Sequence, residues 1–322
     1  IDLPADTFQP HTGTKTCLLT LRRRRQPLKE LSQLEDYEIF MSIPKWIGHD
    51  RRGKPVYKKS IDGKDTSEIL TDFSELFSAY EAYKQKKSFV GIHEHSFIGS
   101  AKSILEAALL QLNAQYHKPS NFNYNSFDKE NWSFVELGEL VEKIFYPGRF
   151  KRNYVEYSEN AVPFFGGSDI LQLWSWTKKW ISSSHPKIDE LAVKKDWILI
   201  TRSGSTGIVS IVPEAWEGFA MSEHIIRIIP DSDKLSPFYL MGFLRSEFCQ
   251  EIIAKGVFGS VIDEIDPNFI DKIKVPIPKS KAVLEQITHE IELAEEARNK
   301  AISGTNESVK NLNNRFSDAF AV

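Results

Sequence analysis

Three short runs of β-type apolar residues lie close together in this chain, at residues 197–201, 208–212 and 225–229. Each is nearly continuous in apolar character, the pattern of strands covered on both faces. The first two flank Arg202-Ser203-Gly204-Ser205-Thr206-Gly207, a turn bracketed by glycines. Short hydroxyls and one arginine at the lip of a sheet offer donors to phosphate or base edges and little means of doing chemistry. The pattern predicts a module that reads a ligand rather than one that transforms it.

Other stretches change period. Residues 17–21 read as a strand, closed by Arg22 to Arg25, a run that reads either as a solvated strand end or as a phosphate contact. A strand with few neighbours to pair with, in a chain that starts without methionine, predicts a fragment cut inside a domain. Residues 35–64 alternate short β-type pieces with turns. Ile69, Leu70, Phe73, Leu76, Phe77, Tyr80 and Tyr83 recur at helical spacing and predict a helix over 66–86, capped by Asp65 or Thr66. Residues 100–112 read as a further apolar helix. The Asn-, Ser-, Tyr- and Pro-rich stretch 113–131 has the signature of a linker.

Beyond it, Leu137, Leu140, Val141 and Ile144 predict a helix over 134–145. Phe164 and Phe165 end a strand before Gly166-Gly167, residues 237–250 form a helix, and the prolines of 273–278 suit an edge strand. From Leu284 on, Ile287, Ile291, Ala294 and Ala301 make a coiled-coil-type seam interrupted by Arg298. It is broken or bent near Ser303-Gly304 and continued by Val309, Leu312, Phe316 and Ala319. That seam reads either as a helix packed on its own domain or as one that pairs with a partner.

Composition narrows the class. The 322 residues suffice for two domains, and 41% hydrophobic with 26% charged residues is ordinary for a globular chain. Two cysteines, Cys17 and Cys249, make no disulfide framework, which points to a reducing cytoplasm, and no apolar run reaches membrane-span length. The net charge of −3 divides into +3 over residues 1–120 and −6 over the rest. A nonspecific nucleic-acid coat would be basic throughout, so DNA could be held only on a local cationic face.

Candidate chemistry is sparse. Gly13-Thr14-Lys15-Thr16 lacks the order of a phosphate loop, and the His93-Glu94-His95 triplet, without further ligands nearby, reads as a solvated loop. The run Asp263-Glu264-Ile265-Asp266 followed by Lys272 reads as helix-start or turn carboxylates rather than a nuclease centre. No nucleophile elbow, cofactor turn or Asn-Pro-Pro-aromatic motif is present. Two basic constellations stand out. Arg149, Lys151 and Arg152 interleave with Phe150, Asn153 and Tyr154, suiting phosphate anchoring by Lys151 and Arg152, base reading by Arg149 or Asn153, and stacking by Tyr154. Trp174, Trp176 and Trp180 surround Lys178 and Lys179, which either line a groove or flank a core.

The blocks ILITRSGSTGIVSIV, MSEHIIRIIP, SPFYLMGFLRSEFCQEII, GVFGSVIDEI and IKVPIPKSKAVLEQI, in that order, resemble a target-recognition domain of Type I restriction–modification specificity subunits. The upstream IDLPADTFQPHTGTKTCLLTL and IFMSIPKWIGHDRRGKPVY resemble the C-terminal end of an N6-adenine DNA methyltransferase domain. Together they imply a fused methyltransferase–specificity polypeptide of α/β (α+β) class. Its parts would be a methyltransferase piece over 1–115, a linker over 116–131, a recognition domain over 132–280 and a spacer or dimerisation helix over 281–322. The resemblance implies double-stranded DNA and an upstream methyltransferase domain or subunit as partners, and a homodimer through the C-terminal helix. It implies S-adenosylmethionine for the full-length enzyme, with no cofactor, catalytic or metal residue in this chain. DNA contacts would come from Arg149, Lys151, Arg152, Asn153, Tyr154, Lys178, Lys179, Arg202, Ser203, Ser205 and Thr206, with Arg202, Ser203 and Thr206 open to a turn-orienting role instead. An assembly scaffold acting through the C-terminal helix is the alternative.

Overall fold

The computed structural model describes residues 1–89, 91–106, 111–119, 124–259 and 262–320, the side chains of Leu31 and Glu106 excepted. The chain divides into two compact units, Ile1–Asn121 with Lys255–Asp263, and Phe122–Ala254 with Glu264–Val322. No helix among the described residues is long and apolar enough to cross a membrane.

In the first unit, strand Glu38–Ser42 pairs antiparallel with Ser96–Ser100, and Met41, Ile104 and Ala114 form a small core beside it. Helix Phe73–Lys84 buries Ala79, and Phe40 meets Tyr80 and Phe89 edge to face. The helix begins later than its spacing predicts, because Asp65–Ile69 pairs with Tyr57–Lys59 as a hairpin. Asp72, not Asp65 or Thr66, holds the N-cap position, and its carboxylate accepts from the Lys45 and Trp46 amides. The strand expected over 17–21 is only Thr16–Cys17, paired with Asp2–Leu3. Leu18, Leu19 and Leu21 are exposed, having no strand to cover them. Ala101–Glu106 is helical, while residues 107–110 of the expected 100–112 helix lie outside the described residues. His93 is not solvated. It is buried, with Nδ1 2.8 Å from Ser96 Oγ, and Ser96 Oγ in turn donates to Ser42 Oγ at 3.0 Å.

The second unit is mixed α/β. Its central antiparallel sheet has the order Val209–Ile211, Ile198–Thr201, Ile225–Pro230, Val141–Phe145. All four residues of Ile198–Thr201 are buried, as their unbroken apolar run requires. A side sheet has the order Ala220–Met221, Ala161–Phe165, Trp180–Ser182, Tyr154–Val155, its first pair parallel and the others antiparallel. Phe165, Leu199, Trp216, Met221 and Ile225 share one core cluster, which joins the two sheets.

Residues 134–145 are not a helix. Trp132–Glu136 pairs with Lys274–Pro278, a turn of 3-10 helix carries Leu137 and Leu140 inward, and Val141–Phe145 pairs with Ile225–Pro230. The apolar spacing of 137, 140, 141 and 144 also fits a strand–turn–strand, and the available pairing partners decide between them. Of the 116–131 stretch read as a linker, residues 120–123 lie outside the described residues, while Tyr124 and Phe127 both pack edge to face on Phe134 and Phe248. The helix expected over 237–250 is two, Pro237–Arg245 and Glu247–Lys255, separated at Ser246. Ser236 Oγ accepts from the Phe238 amide at 3.2 Å and Ser246 Oγ from the Cys249 amide at 3.2 Å, so each helix starts on its own serine cap.

The C-terminal helix Lys281–Phe320 runs unbroken through Ser303-Gly304, where nothing approaches Gly304 to force a bend. Its docked face carries Ile291, Glu295, Arg298 and Ile302, whereas Ala294 and Ala301 of the expected seam are exposed. Arg298 does not interrupt that face. Its guanidinium donates to the carbonyls of Ile211 and Ile170 and to Ser210 Oγ, and lies 5.2 Å over the Trp216 ring. Gly242 lets the helix come close, since a Cβ there would run into Ile291 Cδ1. From Glu307 to Phe320 every residue is exposed, including Val309, Leu312 and Phe316.

One cation lies wholly inside this unit. Arg227, on the central strand Ile225–Pro230, is fully buried and donates to the carbonyls of Met221 (2.5 Å), Ser222 (2.9 Å), Ile225 (2.5 Å) and Leu191 (3.4 Å). Burial pushes its pKa down to about 9, so it remains charged at neutral pH. Replacing it with leucine removes a donor from each of these carbonyls, of which that of Ser222 also accepts from the Ile225 amide at 3.1 Å, and Arg227→Leu is expected to lower unfolding stability by about 3 kcal/mol in urea titrations.

Candidate nucleic-acid interface

The 202–207 turn is held from below by Thr201. Its hydroxyl donates to the Ser205 carbonyl at 2.5 Å and accepts from the Ile208 amide at 2.9 Å. Gly204 and Gly207 take positive φ, and Gln250 Nε2 donates to the Gly207 carbonyl at 3.1 Å. Arg202 does not project freely. It forms a two-pronged ion pair with Glu264 at 3.3 and 2.8 Å, lies 4.1 Å over the Tyr146 ring, and has a side chain only 15% exposed. Ser203 Oγ lies 2.5 Å from His224 Nδ1, and the Arg202 amide donates to the His224 carbonyl at 2.7 Å. Ser205 is exposed and Thr206 partly so, its amide turned in to the Gly204 carbonyl.

The 148–154 loop is built around Phe150, which packs against Phe164 and His185, while Lys187 Nζ donates to the Gly148 carbonyl at 3.3 Å. Arg149, Lys151 and Asn153 are exposed on it, and among the described residues no ion pair engages Arg149 or Lys151. Arg152 turns back instead. Its Nη2 and Nε donate to the Glu223 carboxylate at 2.7 and 3.3 Å, and Nη2 reaches Ser222 Oγ at 3.4 Å. Tyr154 is exposed at its rim and meets Phe164 edge to face.

These two loops therefore meet on one segment, Ser222-Glu223-His224. Arg152 grips it from one side, and Arg202 and Ser203 grip it from the other. Buried Arg227 holds its flanks through the Met221, Ser222 and Ile225 carbonyls. Lys178 and Lys179 stand elsewhere. Tyr154–Val155 runs antiparallel to Trp180–Ser182 with Tyr154 opposite Ile181, so Lys151 and Asn153 lie beyond the Ser182 end and Lys178 and Lys179 precede the Trp180 end. Both lysines are exposed, Lys178 5.5 Å over the Trp176 ring. Their loop is pinned to the C-terminal helix, where Asn306 accepts from the Ser175 amide at 2.9 Å and donates to Ser175 Oγ at 2.7 Å.

The sequence pattern gives no role to Glu223, His224 or Arg227, whose only signal is the polar positions of the MSEHIIRIIP block, and it reads Glu264 as a turn carboxylate without its pairing to Arg202. Ser203, His224 and Glu223 have the residue types of a hydrolytic triad, but the Glu223 carboxylate is 3.6 Å from the imidazole and engaged by Arg152, which makes it an anchor. The acidic run is likewise engaged: Asp263 with Lys15, Glu264 with Arg202, and Asp266 as the N-cap of helix Pro267–Asp271. No cluster of three or more His, Cys, Asp or Glu able to hold a metal occurs among the described residues.

Residues 129–303 match the family model described as Type I restriction modification DNA specificity domain. The chain belongs to that family. The match takes in both sheets, both loops and the docked part of the C-terminal helix. The chain is similar to a Type-I restriction-modification S subunit from M. genitalium (17% identity, 53% of this chain and 41% of that one, TM-score 0.38). It is similar too to the HsdS subunit from Thermoanaerobacter tengcongensis (17% identity, 62% and 46%, TM-score 0.37). A third similar chain comes from an assembled type I R-M system (16% identity, 74% and 54%, TM-score 0.42). The chain thus spans about half the length of these proteins.

The anchoring pair carries a pH signature. Burial raises the Glu223 carboxyl, but the hydrogen bonds and charge of Arg152 outweigh it and leave the group below its ordinary 4.5. A carboxyl depressed by folding stabilises the native state above its unfolded pKa, and that contribution is lost as pH falls through the folded value. The stability gap between wild type and Glu223→Gln is therefore expected to be largest at neutral pH and to shrink as pH falls below the ordinary carboxylate value and through the depressed folded one, read from urea midpoints. Glu264→Gln, which leaves Arg202 with half of its partner, is expected to cost about 1–3 kcal/mol in the same measurement.

Proposed function

We propose that the chain is the sequence-reading module of a restriction–modification DNA methyltransferase, with duplex DNA as ligand. The observation that carries this reading is the exposed cationic loop at 149–153, fixed from beneath on a specificity-domain scaffold. Arg149 and Asn153 have the donor and acceptor geometry to read guanine and adenine edges, and Lys151 anchors phosphate. Lys178 and Lys179, at the far end of the side sheet, would meet a different stretch of backbone. Arg152 and Arg202 already answer internal carboxylates, so they hold the loops, with Ser203 and Thr206 in the same supporting role. Ser205 and Tyr154 remain at the surface to touch DNA. Overall acidity is compatible with this, because the cations are local.

Residues 1–115 are read as the C-terminal end of the N6-adenine methyltransferase domain whose catalysis the module directs. That enzyme would use S-adenosylmethionine, and no residue of this chain is assigned to it. Residues 132–280 would do the reading, and the helix over 281–322 would pair with a methyltransferase subunit or a second copy. The exposed stripe Val309, Leu312 and Phe316 supports a partner there, and it is also what favours an assembly scaffold with little DNA affinity of its own.

Selection from a random duplex pool at moderate salt tests the function. One enriched motif is expected, and the reading fails if none rises above background. Arg149→Ala should then cost about 1–3 kcal/mol of discrimination at one base pair, and Lys151→Ala should weaken all sequences alike and lower the salt slope by about one. Leu312→Glu with Phe316→Glu should leave DNA binding by the monomer intact and abolish assembly in sedimentation. If binding is absent while assembly persists, the scaffold reading stands instead.

A further inference from the structure

The exposed loop and the glycine-bracketed turn share one internal support, and it lies at a residue that cannot itself touch DNA. Glu223 is 8% exposed, with its carboxylate facing inward to Arg152 at 2.7 and 3.3 Å and to Ser222 Oγ at 3.2 Å. Arg152 belongs to the same short loop as Arg149, Lys151 and Asn153, between Phe150 at one end and the edge strand Tyr154–Val155 at the other. The next residue, His224, takes the turn by Ser203 Oγ and by the Arg202 amide. Ser222 Oγ closes the segment on itself by accepting from the His224 amide at 3.2 Å.

We propose that Glu223 is a positioning residue for sequence discrimination: by holding Arg152 it fixes the loop that carries Arg149 and Asn153, and through the shared Ser222-Glu223-His224 segment it sets that loop in register with the 202–207 turn. This rests on the DNA-reading function proposed above. The physical basis is that a bidentate base contact tolerates little misplacement, whereas a phosphate contact by a long flexible lysine tolerates more. Loss of the buried carboxylate would thus loosen reading before it loosened binding. The 202–207 turn keeps holds of its own in Thr201 Oγ1, Gln250 and the Arg202–Glu264 pair, so it would respond through this segment less than the 148–154 loop does.

The test uses the full chain and three variants, Glu223→Gln, Arg152→Gln and the double. Amide hydrogen exchange is measured without DNA, and preference for the selected duplex over a scrambled one is measured with it. Glu223→Gln is expected to speed exchange across 148–154 and 202–206 while the strand Ile198–Thr201 stays protected. It should reduce preference by roughly ten-fold, with scrambled-duplex affinity nearly unchanged. Arg152→Gln should do the same, and the double variant should lose no more than either single one, because both remove one interaction. Additive losses, or exchange that stays slow in Glu223→Gln, would overturn the positioning role. So would a loosened loop with full discrimination. If the wild type selects no sequence at all, the DNA-reading function falls, while the exchange data still decide whether Glu223 holds the loop. Equal loss of affinity for both duplexes would make Glu223 a general stabiliser and overturn the proposal.

Discussion

A buried guanidinium organises the second unit. Arg227 sits on a central strand with no solvent contact, and four carbonyl oxygens replace its water. Burying a cation is costly unless its donors are answered; here backbone carbonyls rather than a carboxylate answer both terminal nitrogens, and Nε is left without a partner. That choice has a geometric result. Carbonyls of Met221, Ser222 and Ile225 can converge on one point only if the chain between them folds back tightly. The charge therefore shapes the Ser222-Glu223-His224 segment as much as the segment satisfies the charge. The side sheet joins in, because Met221 pairs with Phe165 and Leu191 contributes the fourth carbonyl.

From that point outward the polar groups are consecutive. Glu223 meets Arg152, His224 meets Ser203, and Arg202 beside it meets Glu264. Each of the two cations that the sequence places among the best ligand contacts and that are half-buried or more turns out to have an internal carboxylate. The cations without one, Arg149 and Lys151, stand on the rim. The division follows from desolvation: a guanidinium shielded from water needs a partner in the protein, and one in water does not.

Legibility in the sequence follows the same division between local and distant causes. The strands Ile198–Thr201, Val209–Ile211 and Ile225–Pro230 are readable because an apolar run needs no knowledge of its neighbour. The 202–207 turn is readable from its glycines. Residues 134–145 are misread because Leu137, Leu140, Val141 and Ile144 fit a helix equally well, and only the pairing with Lys274–Pro278 and Ile225–Pro230 excludes it. Arg298 looks like an interruption in an apolar seam because its acceptors, at Ile170, Ser210 and Ile211, lie some ninety to one hundred and thirty positions away. The support of the candidate interface is hidden for this reason too: Arg152 and Glu223 are 71 positions apart, Arg202 and Glu264 62. Residue types at such separations leave no periodic trace.

The C-terminal helix changes character at Asn306. Up to there its inward face is bonded to the domain; past it, fourteen residues continue in the same helical phase with nothing of their own unit beneath them. At 1.5 Å per residue that is an arm of about 21 Å, rigidly clamped at one end. Such an arm works as a gauge. Each residue added or removed between the clamp and the apolar stripe would move whatever grips Leu312 and Phe316 by about 1.5 Å and swing it by about 100°. Changes in length by whole turns would therefore be tolerated where single-residue changes would not, and the spacing between this unit and any chain bound on the arm would be set by the number of helical turns.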